Sequence, residues 1–350
     1  MTVTIKDIAK RVGVSPSTVS RVINGNSRIS DETTKKIQSV MEELDYHPNS
    51  LARSFVSGVT YCIGLVIDAR DENTFANAFF NRSVFAIEKV VQEYGYSLII
   101  TNDRKKQKKS MLENLVLEKK VDGLIMPSSI IRADLIKELN QIDFPFIVMG
   151  EPRDEKSSTA WVDVDNEMGS SMAVEHLIEQ GYRRIAFITE KSNTVFSGKR
   201  LAGYLACLKK HGMAPAPEFI LEQGQNTLED SRRLEELMTG EGRPDAFLCG
   251  NNIIAFNVFK TLKNINYKIP EEIGIVTFDN YPIAEYTDPP MTVVDVDTYS
   301  LGIRVAEQLI HRIQGNSSFT SQRYIPTKLL IRQSSMKGEG CVDDKNGGAS

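Results

Sequence analysis

The feature that most constrains this chain is a pair of amphipathic helix patterns near the N-terminus, separated by only a few residues. Apolar residues recur every three or four positions from Ile5 to Val12, which predicts one buried helix face. Gly13 permits a turn, and Ser15 followed by Pro16 is typical of a helix start, because serine caps free amide groups and proline lacks an amide hydrogen. So short a connection predicts a helix-turn-helix, whose second helix is suited to the major groove of DNA.

The residues around this pair predict where the helices begin. Thr4 and Asp7 fit the Ser/Thr-x-x-Asp/Glu capping box, so the first helix is expected to begin near Ile5. A third helix is expected after Ser30, because Asp31 and the acid that follows it interact favourably with the positive end of the helix dipole. The three patterns together predict an all-α domain, which we assign to residues 1–48.

The N-terminal segment is basic although the whole chain is acidic. Residues 1–30 contain five lysine or arginine residues and a single acidic residue, Asp7, whereas the chain carries a net charge of -4. A local excess of positive charge predicts a surface that faces nucleic-acid phosphates. The alternative is a small helical bundle that merely packs against a larger domain.

Composition indicates a soluble protein of several domains. The 350 residues, 41% of them hydrophobic and 25% charged, are enough for two or three domains. We expect a cytoplasmic location and no membrane partner, because no apolar run reaches about 18 residues and the N-terminus lacks the pattern of a signal peptide. The four cysteines and four histidines show no metal-ligand spacing, so neither a metal site nor a cofactor is predicted.

A short segment after the third helix predicts a linker, which we assign to residues 49–59. Pro48 disfavours a helical conformation for His47. The residues that follow could form two helical turns, but a helix of that length is marginal on its own. We therefore expect this segment to behave as a linker in the free protein.

From Tyr61 onward, apolar runs alternate with helical patterns. Continuous apolar runs separated by helices predict parallel strands that are covered on both faces. Residues 60–334 exceed one comfortable core, which favours two similar lobes, whereas residues 335–350 are polar and glycine-rich and are predicted to be disordered. Strands are predicted at residues 62–67, 97–100, 123–126, 146–149, 185–188, 246–249 and 273–276, and helices at residues 84–94, 111–119 and 166–180.

Two stretches of the sequence resemble a known family. The run VSPSTVSRVINGNSRISDETTKKI, followed by LDYHPNSLAR, is similar to the DNA-binding headpiece of the lactose/galactose repressor (LacI/GalR) family, and VDVDNEMGSSMAVEHLIEQGYRRIAFI is typical of its larger domain. The resemblance extends to about Arg332. It implies an all-α helix-turn-helix headpiece followed by an α/β domain like the type I periplasmic binding proteins, with two parallel-sheet lobes. It also implies a homodimeric transcriptional regulator, most often a repressor, on a pseudo-palindromic double-stranded operator.

The same resemblance implies roles for individual residues of the headpiece and linker. Arg21 is the best candidate for reading guanine, with Pro16 and Ser17 beside it at base edges. Phe55 stands where the family usually has a leucine that wedges into the minor groove from a hinge helix. The full predicted DNA-binding set is Thr4, Ser15, Pro16, Ser17, Thr18, Ser20, Arg21, Asn24, Arg28, Asn49, Ala52 and Phe55.

In the larger domain the resemblance implies an effector site between the lobes, at the carboxyl ends of the strands. Arg200 matches an arginine that binds effector hydroxyls, and Asp279 matches an acid that accepts two sugar hydroxyls. The alternative for each polar candidate is a residue that merely caps a loop. The stretch FIVMGEP and the aromatic residues Phe75 and Phe79 of the first lobe favour a maltose- or glucoside-type effector, or another small saccharide. The predicted effector set is Asp68, Phe75, Phe79, Arg200, Asn251 and Asp279.

Several alternatives remain open from the sequence. One is a catabolite-type regulator that is controlled by a phosphocarrier protein, and another is a repressor with a purine corepressor. A third is a cytoplasmic sugar-binding protein or enzyme that carries a helical bundle. We expect no enzymatic activity, because the sequence contains no recognisable nucleophile-base pair or phosphate-binding glycine loop, and no catalytic residue is predicted.

Overall fold

The structure is a computed structural model of the 350-residue chain, and it describes residues 3–23, 29–46, 58–68, 78–102, 112–153, 159–190, 194–223, 227–316 and 322–337. Some predicted site residues lie outside these ranges: Asn24, Arg28, Asn49, Ala52, Phe55 and Phe75. Most of the predicted linker and of the predicted tail also lies outside them. Within the described ranges, no helix combines the length and the apolar character needed to cross a membrane.

The N-terminal unit consists of helices α1 (Ile5–Val12), α2 (Pro16–Ile23) and α3 (Asp31–Glu43). The predicted helix starts are confirmed. The Asp7 carboxylate accepts hydrogen bonds from the Thr4 amide at 2.9 Å and from the Thr4 hydroxyl at 2.7 Å. Ser15 Oγ accepts a hydrogen bond from the Thr18 amide at 3.2 Å, so it caps α2. The fully buried core of this unit is Ile8, Ala9, Val19 and Ile37.

The first lobe of the larger domain is built on a six-stranded parallel sheet. Its strands are β1 (Cys62–Ile67), β2 (Ser97–Asn102), β3 (Gly123–Pro127), β4 (Phe146–Met149), β5 (Trp161–Val164) and β11 (Gln322–Ile325), in the order β11-β5-β4-β3-β1-β2. Helices α4 (Ala78–Glu93), α5 (Ala133–Gln141) and α10 (Thr298–Ile313) belong to this lobe. Strands β3 and β4 are buried along nearly their whole length, as expected for a sheet covered on both faces.

The second lobe repeats this plan with one difference. Its strands are β6 (Ile185–Glu190), β7 (Ile220–Gln223), β8 (Ala246–Cys249), β9 (Gly274–Phe278), β10 (Thr292–Asp295) and β12 (Lys328–Leu330), in the order β12-β10-β9-β8-β6-β7. Its helices are α6 (Asn166–Glu179), α7 (Val195–Lys210), α8 (Thr227–Thr239) and α9 (Asn252–Asn264). Strand β12 pairs antiparallel with β10, so this sheet is parallel except at one edge.

The chain passes between the lobes after β5, after β10 and between β11 and β12. One continuous buried cluster joins Leu65 of the first lobe to Phe187 of the second. The carboxyl ends of the strands in both sheets border the space between the lobes, where binding sites of open α/β sheets lie.

Three predictions about elements need correction. The predicted helix at residues 111–119 is a π-helical segment, Leu112–Leu117. The helix predicted at residues 84–94 begins earlier, at Ala78. Strands β5, β7, β10, β11 and β12 were missed, because each has only three or four residues and most contain polar side chains that interrupt an apolar run.

Candidate effector cleft and DNA-binding surface

A cavity of about 290 Å³ lies between the lobes. Phe79, Ser128 and Gly150 line it from the first lobe, and Phe196, Asn251 and Asp279 line it from the second. Arg200 also borders this cavity. The structure therefore brings four of the predicted effector residues together across the cleft: Phe79, Arg200, Asn251 and Asp279.

Arg200 is the central cation of the cleft and is 5% exposed. Its Nε donates a hydrogen bond to Asn166 Oδ1 at 2.8 Å, and its Nη1 donates to the Gly250 carbonyl oxygen. The guanidinium carbon lies 3.8 Å from the centroid of the Phe278 ring, which favours the cation electrostatically. These contacts fix the guanidinium plane and leave further N–H groups for a ligand.

The position of Arg200 in its helix differs from the prediction. The sequence predicts that a helix begins near Arg200, where a cation would oppose the dipole, but α7 begins at Val195. Arg200 thus lies in the second helical turn, where the dipole effect has largely fallen off. Burial lowers the pKa of Arg200, and the carboxylates of Asp279, Asp163 and Glu190 oppose that shift.

Asp163 was not predicted as a site residue, yet it lines the cavity. It is 8% exposed, and its two carboxylate oxygens accept hydrogen bonds from the Glu151 amide at 2.9 Å and the Val164 amide at 2.7 Å. Burial raises the pKa of Asp163 to about 6, although these hydrogen bonds and nearby Arg200 favour the charged form. The sequence signal for Asp163 was its place as the only acid in the run WVDV. It was overlooked because β5 was not predicted as a strand.

Asp279 follows β9 directly and has a left-handed backbone, with φ of 71°. Aspartate is among the few residues other than glycine that adopt this conformation, and such residues cluster at functional sites. Burial raises the pKa of Asp279, while Arg200 favours its charged form. The carboxylate therefore borders the cavity in an environment where a hydrogen-bond donor or a cation would stabilise it.

Asn251 has the capping role that was considered as the alternative. Its Oδ1 accepts a hydrogen bond from the Ile254 amide at 2.9 Å, which makes it the N-cap of α9. Its side chain also lines the cavity, so its amide group can donate to a ligand while its oxygen caps the helix. Asp68 follows β1 and is half-buried, but it is not among the residues that line the cavity.

The predicted DNA contacts that the structure describes lie on α2 or at the starts of α1 and α2. Pro16, Ser17 and Arg21 are exposed, whereas Val19 is fully buried on the opposite face. Thr18 and Ser20 are half-buried, and Thr4 and Ser15 are exposed. A basic side chain beside small hydroxyl-bearing residues on an exposed helix can reach both base edges and phosphates.

Comparison with known proteins identifies the family. A sequence model of the lacI family of bacterial regulatory proteins matches residues 4–49, and a model of the periplasmic binding protein-like domain matches residues 174–335. The HTH-type transcriptional regulator MalR of Streptococcus pneumoniae is 32% identical over 347 residues, which cover 94% of this chain and 99% of MalR. The chain belongs to the lacI family. The predicted family and the predicted fold class are therefore confirmed.

Two further matches are a repressor and the complex of a regulator with cellobiose. The HTH-type transcriptional repressor PurR of Aliivibrio fischeri is 31% identical over 317 residues, which cover 89% of this chain and 92% of PurR. A solved structure of a transcriptional regulator CelR-cellobiose complex has a TM-score of 0.71 and 27% identity, and the match covers 95% of this chain and 99% of that one. The relatives are regulators, which agrees with the expectation of a non-enzyme.

A structure of the lac repressor dimer bound to operator and the anti-inducer ONPF has a TM-score of 0.79 and 24% identity, and covers 96% of this chain and 100% of that one. This likeness confirms the two-lobe fold. This lacI-family chain is thus a DNA-binding transcriptional regulator with an effector-type domain. The roles of its individual residues remain predictions.

Proposed function

We propose that this lacI-family regulator is a cytoplasmic, homodimeric repressor of carbohydrate-use genes whose affinity for operator DNA is controlled by a small saccharide in the cleft. In this proposal residues 1–48 bind DNA, residues 49–59 link the domains, residues 60–334 bind the effector and dimerise, and residues 335–350 form a tail. Arg21 reads a guanine, and the hydroxyl groups beside it contact phosphates.

The observation that carries the proposed effector is the fixed Arg200 guanidinium in a cavity that is also lined by Asp163 and Asp279. A sugar hydroxyl donates one hydrogen bond and accepts others, so a site for several hydroxyls needs cationic donors and anionic acceptors together. Phe79 and Phe196 supply apolar surface on opposite lobes. The cavity volume of about 290 Å³ lies at the lower end of ligand sites and favours a small saccharide.

The proposed homodimer follows from the small size of the DNA-binding face of α2. Helix α2 has eight residues, and its exposed face can contact only a few base pairs. Helix-turn-helix regulators gain specificity by placing two copies on half-sites about one helical turn apart. We therefore expect a twofold-symmetric operator.

The proposal is tested by measuring operator binding and effector binding together. Gel shifts on the duplex upstream of the chain's own gene, with random duplex as competitor, should show specific retention that one member of a saccharide panel changes. Coupling of about 1 to 3 kcal/mol would change DNA affinity by roughly five- to 150-fold, and operator DNA should change saccharide affinity by the same factor. A monomeric protein with no preference over random duplex would contradict the proposal.

A purine-type corepressor is the second candidate, because the identity of PurR of Aliivibrio fischeri to this chain, 31%, is close to that of MalR, 32%. Purine bases belong in the same calorimetric panel. Binding of a purine without binding of any saccharide would favour this candidate. Binding of neither, together with retention of a phosphocarrier protein, would favour the catabolite-type alternative.

A further inference from the structure

Helices α6 and α7 pack closely against each other, and this packing fixes the position of α6 relative to the end of α7. A Cβ atom built on Gly203 of α7 would lie 2.1 Å from the Glu167 carbonyl oxygen and 3.0 Å from the Ser170 Cβ atom. Only a residue without a side chain permits this approach. The close crossing near the start of α6 also brings Glu175, later on α6, against the end of α7.

Three different metal-ligand groups meet at that end. Glu175 Oε2 lies 3.0 Å from His211 Nε2 and 3.4 Å from Cys207 Sγ, and the three ligand atoms all lie within 4.8 Å of one another. Cys207 is 1% exposed, whereas Glu175 and His211 are partly exposed. The Glu175 carboxylate oxygen is therefore the shared partner of the histidine ring and the thiol.

The sequence analysis missed this cluster, although part of its signal was present. Cys207 and His211 are four positions apart, a spacing that places two side chains on one helix face. Glu175 belongs to a different helix, so its approach could be seen only in the folded chain. The sequence analysis therefore overlooked the spacing of this pair.

We propose that Glu175 Oε2, Cys207 Sγ and His211 Nε2 form a binding site for a transition-metal cation of the Zn²⁺ type. Ligand-metal distances of about 2.0 to 2.3 Å in a tetrahedral site place neighbouring ligand atoms roughly 3.3 to 3.7 Å apart. The distances from Glu175 Oε2 to His211 Nε2 and to Cys207 Sγ are already close to that separation. Movement of the partly exposed side chains shortens the remaining distance, between Cys207 Sγ and His211 Nε2. The mixed oxygen, nitrogen and sulfur set selects Zn²⁺ over Mg²⁺ or Ca²⁺, which prefer oxygen ligands.

Binding requires local changes at the ligands and at their neighbour Lys210. The Cys207 thiol loses its proton to water as the metal-sulfur bond forms, and the neutral His211 ring presents the lone pair of Nε2 with its proton on Nδ1. Lys210 Nζ lies 3.2 Å from Glu175 Oε2, and its side chain is 69% exposed, so it can move into solvent. A water molecule completes the tetrahedron.

The test is a Co²⁺ and Zn²⁺ titration of the chelator-treated, full-length, untagged protein. Cys341 lies outside the described residues, so all proteins in the series carry Cys341→Ser. We expect Co²⁺ to produce thiolate-to-metal charge-transfer absorption and Zn²⁺ to abolish it by competition at equal concentration. Circular dichroism before each titration establishes that the variant is folded.

Variants separate a metal site from a hydrogen-bond network. Cys207→Ser keeps a hydroxyl that can bond to Glu175 but removes the thiolate, so the absorption should disappear and Zn²⁺ affinity should fall about tenfold or more, as even the loss of an outer-shell partner does. His211→Gln should weaken binding similarly, and Cys62→Ser, the matched thiol control, should leave binding unchanged. Lys210→Gln should strengthen it.

Two results would overturn the proposal. One is a wild-type protein that gives no charge-transfer absorption with excess Co²⁺. The other is absorption of equal intensity and affinity in folded Cys207→Ser or His211→Gln, which would place the metal elsewhere.

Discussion

The exposed face of α2 and the effector cleft differ in how far apart their residues lie in the chain. Pro16, Ser17 and Arg21 all belong to one eight-residue helix. Asp163, Arg200 and Asp279 come from β5, from α7 and from the end of β9, and they converge only because both lobes border the same cavity. A substitution on α2 should therefore affect DNA binding alone. A substitution near the cleft should affect effector binding or the packing that holds the lobes together.

Ile37→Ala should separate the two regions most strongly. Ile37 is fully buried among the few core residues of the N-terminal unit, and loss of a buried isoleucine side chain costs about 2 to 5 kcal/mol. We expect loss of operator binding with unchanged effector affinity, measured by gel shift and calorimetry. The exposed substitution Lys35→Ala should leave both intact. Parallel loss of effector binding in Ile37→Ala would show that the two regions do not fold independently.

Asp279→Asn tests the polar side of the cleft. Removal of a charged hydrogen-bond acceptor should weaken effector binding by about 1.5 to 3 kcal/mol, with little change in DNA binding without effector. Calorimetry with the effector found in the panel measures this. Asp288→Asn is the control, because the Asp288 side chain is 99% exposed on the same lobe. Equal affinity of Asp279→Asn and wild type would remove Asp279 from the effector site.

Gly203→Ala tests the packing that positions the cleft. An added methyl group would meet the Glu167 carbonyl oxygen at 2.1 Å, and overpacking of this kind costs about 1 to 3 kcal/mol. Gly198 lies on the same helix and has nothing within 4 Å of its added Cβ. Gly198→Ala should therefore be stabilising, by up to about 1 kcal/mol. Urea unfolding of the two variants should show opposite signs, and equal effects would contradict the close helix crossing.

Arg21→Ala and Lys10→Ala test whether α2 reads sequence. Both residues are exposed. Loss of a base contact should cost about 1 to 3 kcal/mol and relax specificity at one operator position, whereas loss of a phosphate contact should weaken binding to all duplexes and lower the salt dependence. Binding to a set of single-base operator variants distinguishes these outcomes. Uniform losses from both substitutions would exclude base reading by Arg21.

The sequence alone predicted the local features well. The starts of α1, α2 and α3 followed from Thr4, Ser15 and Ser30, because capping depends on residues only three positions apart. The central strands of both sheets were also found, since buried parallel strands are continuous apolar runs. Short edge strands such as β7 and β12 were missed, because their pairing is decided by neighbours far away in the chain.

The cleft was only partly predictable. Arg200, Asn251 and Asp279 were named from their places after strands or at a helix, but Asp163 and Asn166 were missed. Both are buried polar residues close to Arg200, which lies far away in the sequence. Their part in the cleft depends on that tertiary contact. Periodicity shows which face of an element is apolar, and it does not show which polar groups will meet.

What the sequence determined by itself is therefore the order of the domains, the helix-turn-helix and the exposed face of α2, because each depends on interactions over a few residues. The tertiary structure alone decided that Asn166 holds Arg200, and that Glu175 lies against Cys207 and His211. Those contacts depend on two helices crossing at Gly203. The geometry of that crossing is set by packing across the whole lobe, which no local pattern encodes.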